Sequence, residues 1–501
     1  MSGVGSALSQ VFAIASNPSI LLYTFIGTGI GLIFGALPGL TATMGTAILV
    51  PFTFSMPVAE AFGMLLGVYC GGIAGGAVSA TLLNIPGTPS SVVTTLDGYP
   101  MARKGQAAKA LGWAVTASGV GGFISWLALV LIAPQAARFA LRFGPPEYAM
   151  LAVMGLTIIA SISGKSIAKG IIAGLVGLWL SFVGVDPIVG NFRFTFNQIP
   201  LMSGISVMPA LIGFFAIPEI LSGTRTSYEA VKAQVTSREM FPTLRELWEH
   251  AGNLIRSSII GTFIGIIPAT GGNIAAFLAY DQAKRFSKHP EKFGEGIPDG
   301  VIASEAANNG VTGGALIPML TLGIPGDSVT AVLLGALIIH GLQPGPGLFK
   351  EHIDVIYSVF TTLLIANIFM VAIMFIGIRG FVKILNVPKH FLTPILIVLC
   401  LVGSYAINNS FFDVWVTLVL GLFGYLMTLA KFPMAPIVLG LVLGRLLEGE
   451  CRRSLILSGG SWSIFVTRPI SLVLLIISMA FVFGPYVSRA VQNHNQRRQA
   501  A

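Results

Sequence analysis

The chain has 501 residues, of which 54% are hydrophobic and only 10% charged, and it carries a formal charge of +9 from 29 basic against 20 acidic side chains. A soluble protein carries roughly a quarter of its residues as charges, so this supply excludes a soluble enzyme and a nucleic-acid binder, and the lack of ~10-residue alternating segments excludes a porin-type barrel. What remains is an all-α polytopic membrane protein whose basic excess marks cytoplasmic loops rather than an acidic ligand.

At about 20 apolar residues per crossing, the first part of the chain predicts spans near 19–37, 43–57, 58–84, 111–133, 147–163, 167–186 and 200–222. The second predicts spans near 254–280, 301–324, 329–342, 354–378, 391–407, 412–430, 433–447 and 464–486. Several pieces are short or broken, so about 12–14 membrane segments are expected. No Lys or Arg precedes Arg103, so the amino end lacks the basic region of a cleaved secretory signal and the first apolar stretch is expected to stay. Between Ser222 and Ser257 lie Arg225, Lys232, Arg238, Arg245 and Arg256, with amphipathic spacing in Leu244, Leu247, Trp248 and Ala251. The expected organisation is a first membrane repeat over 1–221, a cytoplasmic amphipathic linker over 222–257, a second repeat over 258–486 and a polar tail over 487–501.

The two halves share motifs in one order. Gly72-Ile-Ala-Gly75-Gly76-Ala77 matches Gly310-Val-Thr-Gly313-Gly314-Ala315 at an offset of 238, and Ile85-Pro86-Gly87 matches Ile324-Pro325-Gly326 with one inserted residue. Gly35-Ala-Leu-Pro38 echoes Gly265-Ile-Ile-Pro268. Membrane proteins built from such halves are commonly transporters, with the site between the repeats on interrupted helices at the midplane. The sequence does not decide whether the repeats are inverted, and inversion is the working expectation.

Each half carries two Gly/Pro interruptions within apolar surroundings: Pro38 to Thr43 and Asn84 to Ser91 in the first, Pro268 to Asn273 and Pro325 to Ser328 in the second. Proline and glycine break helices there, and irregular backbone at membrane depth is tolerated only in protein or along a wet cavity. The hydroxyls and amides that follow suit Na⁺ and carboxylate oxygens, and a helix restarting after a break turns its N–H groups toward an anion. Simple packing explains Gly27, Gly31 and Gly35 with Gly67, Gly71 and Gly75 better. It explains the Pro-Gly-Thr-Pro-Ser-Ser and Pro-Gly-Asp-Ser runs less well, because their hydroxyls add little to packing.

Two acids, Asp327 and Glu305, lie in apolar surroundings of the second half, and an ionisable group at such depth is a functional candidate. Asp327 follows the repeated Ile-Pro-Gly directly; Glu305 also suits a helix start. Asn308 and Asn309 sit one turn before the second Gly-Gly pair, where helix-to-helix hydrogen bonding is the plain alternative. The basic runs Arg103 to Lys109 and Lys284 to Lys292 suit solvated loops, and His340 suits a helix end. Cys70, Cys400 and Cys451 have neither metal-ligand spacing nor a disulfide framework. No zinc, nucleophile-elbow or phosphate-loop motif occurs, so ATP hydrolysis within this chain is excluded and no enzyme is expected.

Gly35-Ala-Leu-Pro-Gly-Leu-Thr-Ala, Leu83-Asn-Ile-Pro-Gly-Thr-Pro-Ser-Ser, Asp97-Gly-Tyr-Pro-Met-Ala-Arg-Lys-Gly-Gln106, Glu305-Ala-Ala-Asn-Asn309, Gly323-Ile-Pro-Gly-Asp327 and His340-Gly-Leu-Gln-Pro-Gly-Pro346 occur together. In that combination, from about residue 20 to 485, the chain resembles the large permease subunit of the bacterial tripartite tricarboxylate transporters. The resemblance implies a multi-pass protein of the bacterial inner membrane, a secondary active transporter that imports carboxylates such as citrate or an aromatic dicarboxylate, coupled to Na⁺ or H⁺. It implies a small membrane subunit and a periplasmic solute-binding protein as partners, with no organic cofactor, and an elevator-like motion by likeness to other carriers. Carried onto this sequence, the substrate site gathers Thr41, Thr43, Asn84, Pro86, Gly87, Thr88, Ser90, Ser91, Thr270, Gly271, Asn273, Gly326, Asp327 and Ser328. The cation site draws on Asp327, Ser328, Asn308 and Asn309. Thr88 stands where Asp327 stands in the other half, an asymmetry that separates a substrate side from a cation side. A passive anion channel is the rival reading, although its ring-like filter has no counterpart in symmetry carried within one chain.

Overall fold

The computed structural model describes residues 2–162, 166–186, 188–223, 240–268, 270–384, 389–481 and 483. Arg225, Lys232 and Arg238, His494 and the expected tail lie outside them. The chain divides into two compact units, Met1–Arg138 with Leu211–Tyr425, and Phe139–Ala210 with Leu426–Ala501.

The first unit opens with α1 (Ser2–Ser16), α2 (Pro18–Ala36), α3 (Ala42–Thr53) and α4 (Val58–Leu83). A 3-10 turn (Pro89–Val92), α5 (Thr94–Arg103) and α6 (Ala107–Ala140) follow. Local chemistry sets these boundaries. Pro18 occupies the first turn of α2 while Asn17 accepts from the Ser19 amide at 3.0 Å. Asn84 ends α4 with φ of 56°, the left-handed conformation that terminates helices. The second half of the unit repeats the order with α12 (Leu244–Ile266), α13 (Gly271–Phe286), α14 (Pro298–Leu322) and α15 (Ser328–Ile339). Gly323 ends α14 in the left-handed region at φ of 71°, at the position Asn84 takes in the first half. Before α12 the unit includes α11 (Ile217–Gly223), and after α15 come α17 (Ile353–Ile384), α18 (Lys389–Asn408) and α19 (Phe411–Leu429).

Small residues let the paired helices touch through their backbones. A Cβ on Gly31 would meet the Val68 backbone, and one on Gly75 would lie 2.5 Å from the Leu32 carbonyl oxygen. In the other half a Cβ on Gly310 would lie 2.8 Å from the Ser258 carbonyl oxygen, and one on Gly261 would meet Ala307. The α2–α4 and α12–α14 pairs are thus the same close crossing made twice.

In the second unit, α7 (Pro145–Ile162) and α8 (Ile167–Ser181) pack on α20 (Met434–Leu457). Two strands, Gly184–Val185 and Phe192–Arg193, pair antiparallel with Gly184 opposite Arg193, so the all-α expectation needs this small correction. Bidentate hydrogen bonds from Arg193 to Glu448, at 2.6 and 3.0 Å, and one from Arg452 to Asp186 at 2.6 Å pin the hairpin to α20.

The chain is a helical polytopic membrane protein. Among the described residues, five helices are long and apolar enough to cross a membrane, and six further apolar helices are shorter. Short and broken pieces are expected among the twelve to fourteen segments, and proline and glycine do cut several apolar runs. The run expected over 254–280 is divided into α12 and α13 at residues 267–270, and that over 200–222 is interrupted at residues 203–206. α3 and α15 have 12 residues each, about 18 Å of helix, and reach only part of the way through a core of about 30 Å. α12 starts at Leu244, so residues 244–257 of the expected linker are helix, with Leu244 and Trp248 exposed.

Candidate functional site

All four interruptions restart a helix. Thr41 caps α3, accepting from the Met44 amide at 3.2 Å while its hydroxyl donates to Glu219 at 2.6 Å. Thr88 leads into the 3-10 turn, where Ser91 Oγ accepts from the Thr88 amide at 3.1 Å and donates to the Thr88 carbonyl at 2.9 Å. Thr270 precedes α13, and its hydroxyl is spent on the carbonyls of Ile264 and Ile267. Asp327 caps α15: its Oδ1 accepts from the Thr330 amide at 2.7 Å and the Thr330 hydroxyl at 2.8 Å.

Within each half the two breaks meet. Gly87 lies against the Gly35 carbonyl and Gly76, and Gly326 against the Gly265 carbonyl and Ala315. A side chain at either Pro-Gly turn would collide with backbone: on Gly326 a Cβ would stand 2.6 Å from the Gly265 oxygen. Thr88 and Ser91 rest on α4, where a Cβ on Gly76 would stand 2.7 Å from Thr88 Oγ1 and 2.9 Å from Ser91 Oγ.

Between the halves the contacts are reciprocal. From the first break, Ser90 reaches the start of α13 at Gly272, where a Cβ would lie 2.8 Å from Ser90 Cβ and 2.5 Å from Asn308 Oδ1 in the middle of α14. The 3-10 turn also packs on α14. From the second break, Asp327 reaches the middle of α4, accepting from the Tyr69 hydroxyl at 2.5 Å. Position 69 corresponds to 307 at the 238 offset, so each break touches the same level of the other half's long helix.

Around α14 the polar groups continue into a buried cluster. Glu305 Oε1 accepts from Thr94 at 2.5 Å, and Oε2 from Ser118 at 3.3 Å. Asn309 donates to Ser118 at 2.8 Å, and Thr94 pairs with Ser304 at 3.0 Å. Glu305, Asn308, Thr94 and Ser304 are completely buried.

The expected residues therefore divide. Thr88, Ser90, Ser91, Gly87, Gly326 and Asp327 lie at the junction of the breaks, and Asn308 and Asn309 lie in the polar cluster next to it. Pro86 and Ser328 are half-buried within the two turns. Asn84 is exposed and serves as the C-cap of α4, Asn273 is exposed, and Thr43 is half-buried on α3. Gly271 begins α13 with φ of 66° and open space around it, a conformation that favours glycine.

Sequence reasoning missed Tyr69, Thr94, Ser118, Glu219 and the role of Asp97. Asp97 is fully buried, and its Oδ1 accepts from the amides of Gly294, Gly296 and Ile297 at 2.8–3.0 Å while Oδ2 accepts from the Tyr280 hydroxyl at 2.8 Å. It ties α5 to the loop ahead of α14. Glu219, beside Pro218 in an apolar run, carried the usual signal of an ionisable group at depth; the hydroxyls carried none. Lys104 and Lys109, expected in a solvated loop, reach the Glu295 carbonyl and Glu246, each at 2.7 Å.

Interrupted helices from two like halves, closing on a buried polar core, define a polytopic membrane protein of the broken-helix kind. A model of the tripartite tricarboxylate transporter TctA family matches residues 21–439. An uncharacterized 52.8 kDa protein in the TAR-I ttuC' 3'region of Agrobacterium vitis is 37% identical over 477 residues, 95% of each chain. An uncharacterized protein in the TAR-II ttuC' 3'region of that organism is 37% identical over 222 residues, 44% of this chain and 92% of that protein. No solved structure matches the chain. The chain belongs to the tripartite tricarboxylate transporter TctA family, a family of membrane transporters.

Proposed function

We propose that the chain is the large permease subunit of a tripartite system in the bacterial inner membrane, importing a di- or tricarboxylate with a Na⁺ or H⁺ gradient. Its partners are a small membrane subunit and a periplasmic solute-binding protein that delivers the substrate. The observation that carries this reading is the reciprocal meeting of the breaks with the other half, Ser90 on Gly272 and Asp327 on Tyr69. The same reciprocity, with the paired left-handed caps at Asn84 and Gly323, supports inverted repeats that exchange their broken helices across a pseudo-twofold axis.

The carboxylate belongs on the first-half side. There the hydroxyls of Thr88 and Ser90 and the N-terminus of α13 at Gly271 and Gly272 offer donors and the positive end of a helix dipole. On the other side Asp327 already occupies the α15 N-terminus, and a second anion there would be repelled. Asp327 accepts three hydrogen bonds, so its first task is to hold the turn.

Vesicles containing this chain, its small subunit and the binding protein test the reading through uptake of labelled citrate or an aromatic dicarboxylate. Uptake is expected to need all three components and an ion gradient. Uptake unchanged after both gradients are collapsed refutes coupling, and single-channel currents in a planar bilayer replace the carrier with a pore.

A further inference from the structure

Glu305 is buried completely and takes only two hydroxyl donors, Thr94 at 2.5 Å and Ser118 at 3.3 Å. Among the described residues no ion pair includes it. A carboxylate so placed must be neutralised, by a proton or by a bound cation. The neighbouring amides distinguish the two. Asn308, fully buried, has both side-chain polar atoms without a hydrogen-bond partner, although it lies close enough to Glu305 to interact with it. Asn309 Oδ1 also lacks a partner at 1% exposure. Buried polar atoms are rarely left so, and a single proton on Glu305 could pair with only one of the two orphaned amide oxygens, Asn308 Oδ1 and Asn309 Oδ1. A hard monovalent cation takes several oxygens at once, and the Glu305 carboxylate, the Thr94 hydroxyl bound to it and the orphaned amide oxygens are all of that kind.

The repeat makes the same point. At the 238 offset, Glu305, Asn308 and Asn309 correspond to Gly67, Cys70 and Gly71, so the crossing of long helices is built in the other half without polar groups at these positions. Asn308 also borders Gly272, which Ser90 borders from the other half, and this places the cluster next to the assigned carboxylate side.

We propose that Glu305, Asn308 and Thr94 form the seat of the coupling cation, a Na⁺ ion, and that the seat is not at Asp327. This rests on the transport reading above and names the ion site within it. The test is thermal unfolding of the purified chain in detergent, without substrate or partners, titrated with NaCl against choline chloride at constant ionic strength. Sodium is expected to raise the wild-type Tm in a saturable way, as a ligand of the folded state does. Glu305→Gln and Asn308→Ala are expected to shift the half-saturating concentration upward by about tenfold or more, and Asp327→Asn to shift it much less. A wild-type Tm that ignores sodium, or that follows pH alone, overturns the proposal, and so does a wild-type sodium titration in Glu305→Gln. If Glu305→Gln does not fold, Asn308→Ala and Thr94→Val decide the matter by the same titration. Sodium binding without carboxylate uptake in the reconstituted system refutes the transport reading alone, whereas sodium-driven uptake with an unshifted titration in the variants refutes the site alone.

Discussion

Replacing Gly272 by alanine probes the junction between the halves with a single methyl group. In an open helix the change favours folding by about 1 kcal/mol, the propensity difference between the two residues. At Gly272 the added Cβ would stand 2.5 Å from Asn308 Oδ1 and 2.8 Å from Ser90 Cβ. Asn308 Oδ1 ends a fully buried side chain that can turn, but Ser90 Cβ is fixed to the backbone of a short turn at 5% exposure, so the second clash remains. Overpacking of this kind costs about 1–3 kcal/mol, so the net effect lies between about zero and 2 kcal/mol of destabilisation. The effect on transport is larger than that figure suggests, because the break carrying Thr88 and Ser90 must move to make room. Gly29→Ala is the control, since its Cβ meets nothing within 4 Å and it should gain up to about 1 kcal/mol. Thermal unfolding in detergent and carboxylate uptake in proteoliposomes give the two readings. A Gly272→Ala protein as stable as Gly29→Ala, with full uptake, would refute the juxtaposition of Ser90, Gly272 and Asn308 on which the proposed site depends.

Asp97→Ala strips the acceptor from three backbone amides and the Tyr280 hydroxyl, at a cost of about 3–5 kcal/mol. Faster hydrogen exchange over residues 294–297 and a lower Tm are expected, and unchanged exchange there denies Asp97 its anchoring role. Tyr69→Phe removes a hydrogen bond to a carboxylate, about 1.5–3 kcal/mol; combined with Asp327→Asn it should cost clearly less than the two single changes added together, and strict additivity in that cycle breaks the pair. At the start of α12, Lys109 beside Glu246 and the Thr243 amide hold the Glu246 carboxyl down at about 2, against an ordinary 4.5. Its folded value is the lower one, so its contribution is complete above pH 4.5 and fades as pH falls toward 2. Screening at this exposed site limits it to about 1 kcal/mol or less. Exchange at the α12 start should therefore rise with acid in the wild type, relative to the intrinsic rate, and be flat in Glu246→Gln; parallel profiles reject the assignment.

The breaks were legible in the amino-acid order because proline and glycine act locally. Pro38, Pro86, Pro268 and Pro325 remove a backbone donor from the run. Thr41 and Asp327 cap the restarts that follow two of them, while Thr270 turns back to the carbonyls at the end of α12. The glycine crossings were legible for a related reason, since spacing by four residues places small side chains on one face. Contacts between residues far apart in the chain were not. Thr94 and Ser118 are ordinary hydroxyls, and only the packing of α5 and α6 against α14 turns them toward Glu305. Nothing near Asp97 signals that the amides of Gly294, Gly296 and Ile297 will converge on it, because that convergence is made by a turn about 200 residues away. The existence of short and broken pieces was legible from the same prolines and glycines, but their ends were not, because hydropathy counts apolar residues without the loss of a backbone donor inside the run.

Comparison of the halves separates scaffold from chemistry without any second sequence. Where the copies agree, at the Gly-Gly pairs and the Ile-Pro-Gly turns, the residues make backbone contacts in which a Cβ has no room, so their identity follows from packing. Where they differ, the replacement changes charge or hydrogen-bonding capacity: Thr88 against Asp327, Gly67 against Glu305, Cys70 against Asn308. Packing does not demand those differences, because the other half builds the same crossing without them. A purely structural duplication would leave no such bias toward acids and amides on one side. The proposed carrier, holding an anion next to a cation, would make use of it, since each ion lowers the cost of burying the other, and Asn308, beside Gly272 and on the helix of Glu305, stands at the place where that coupling would be felt.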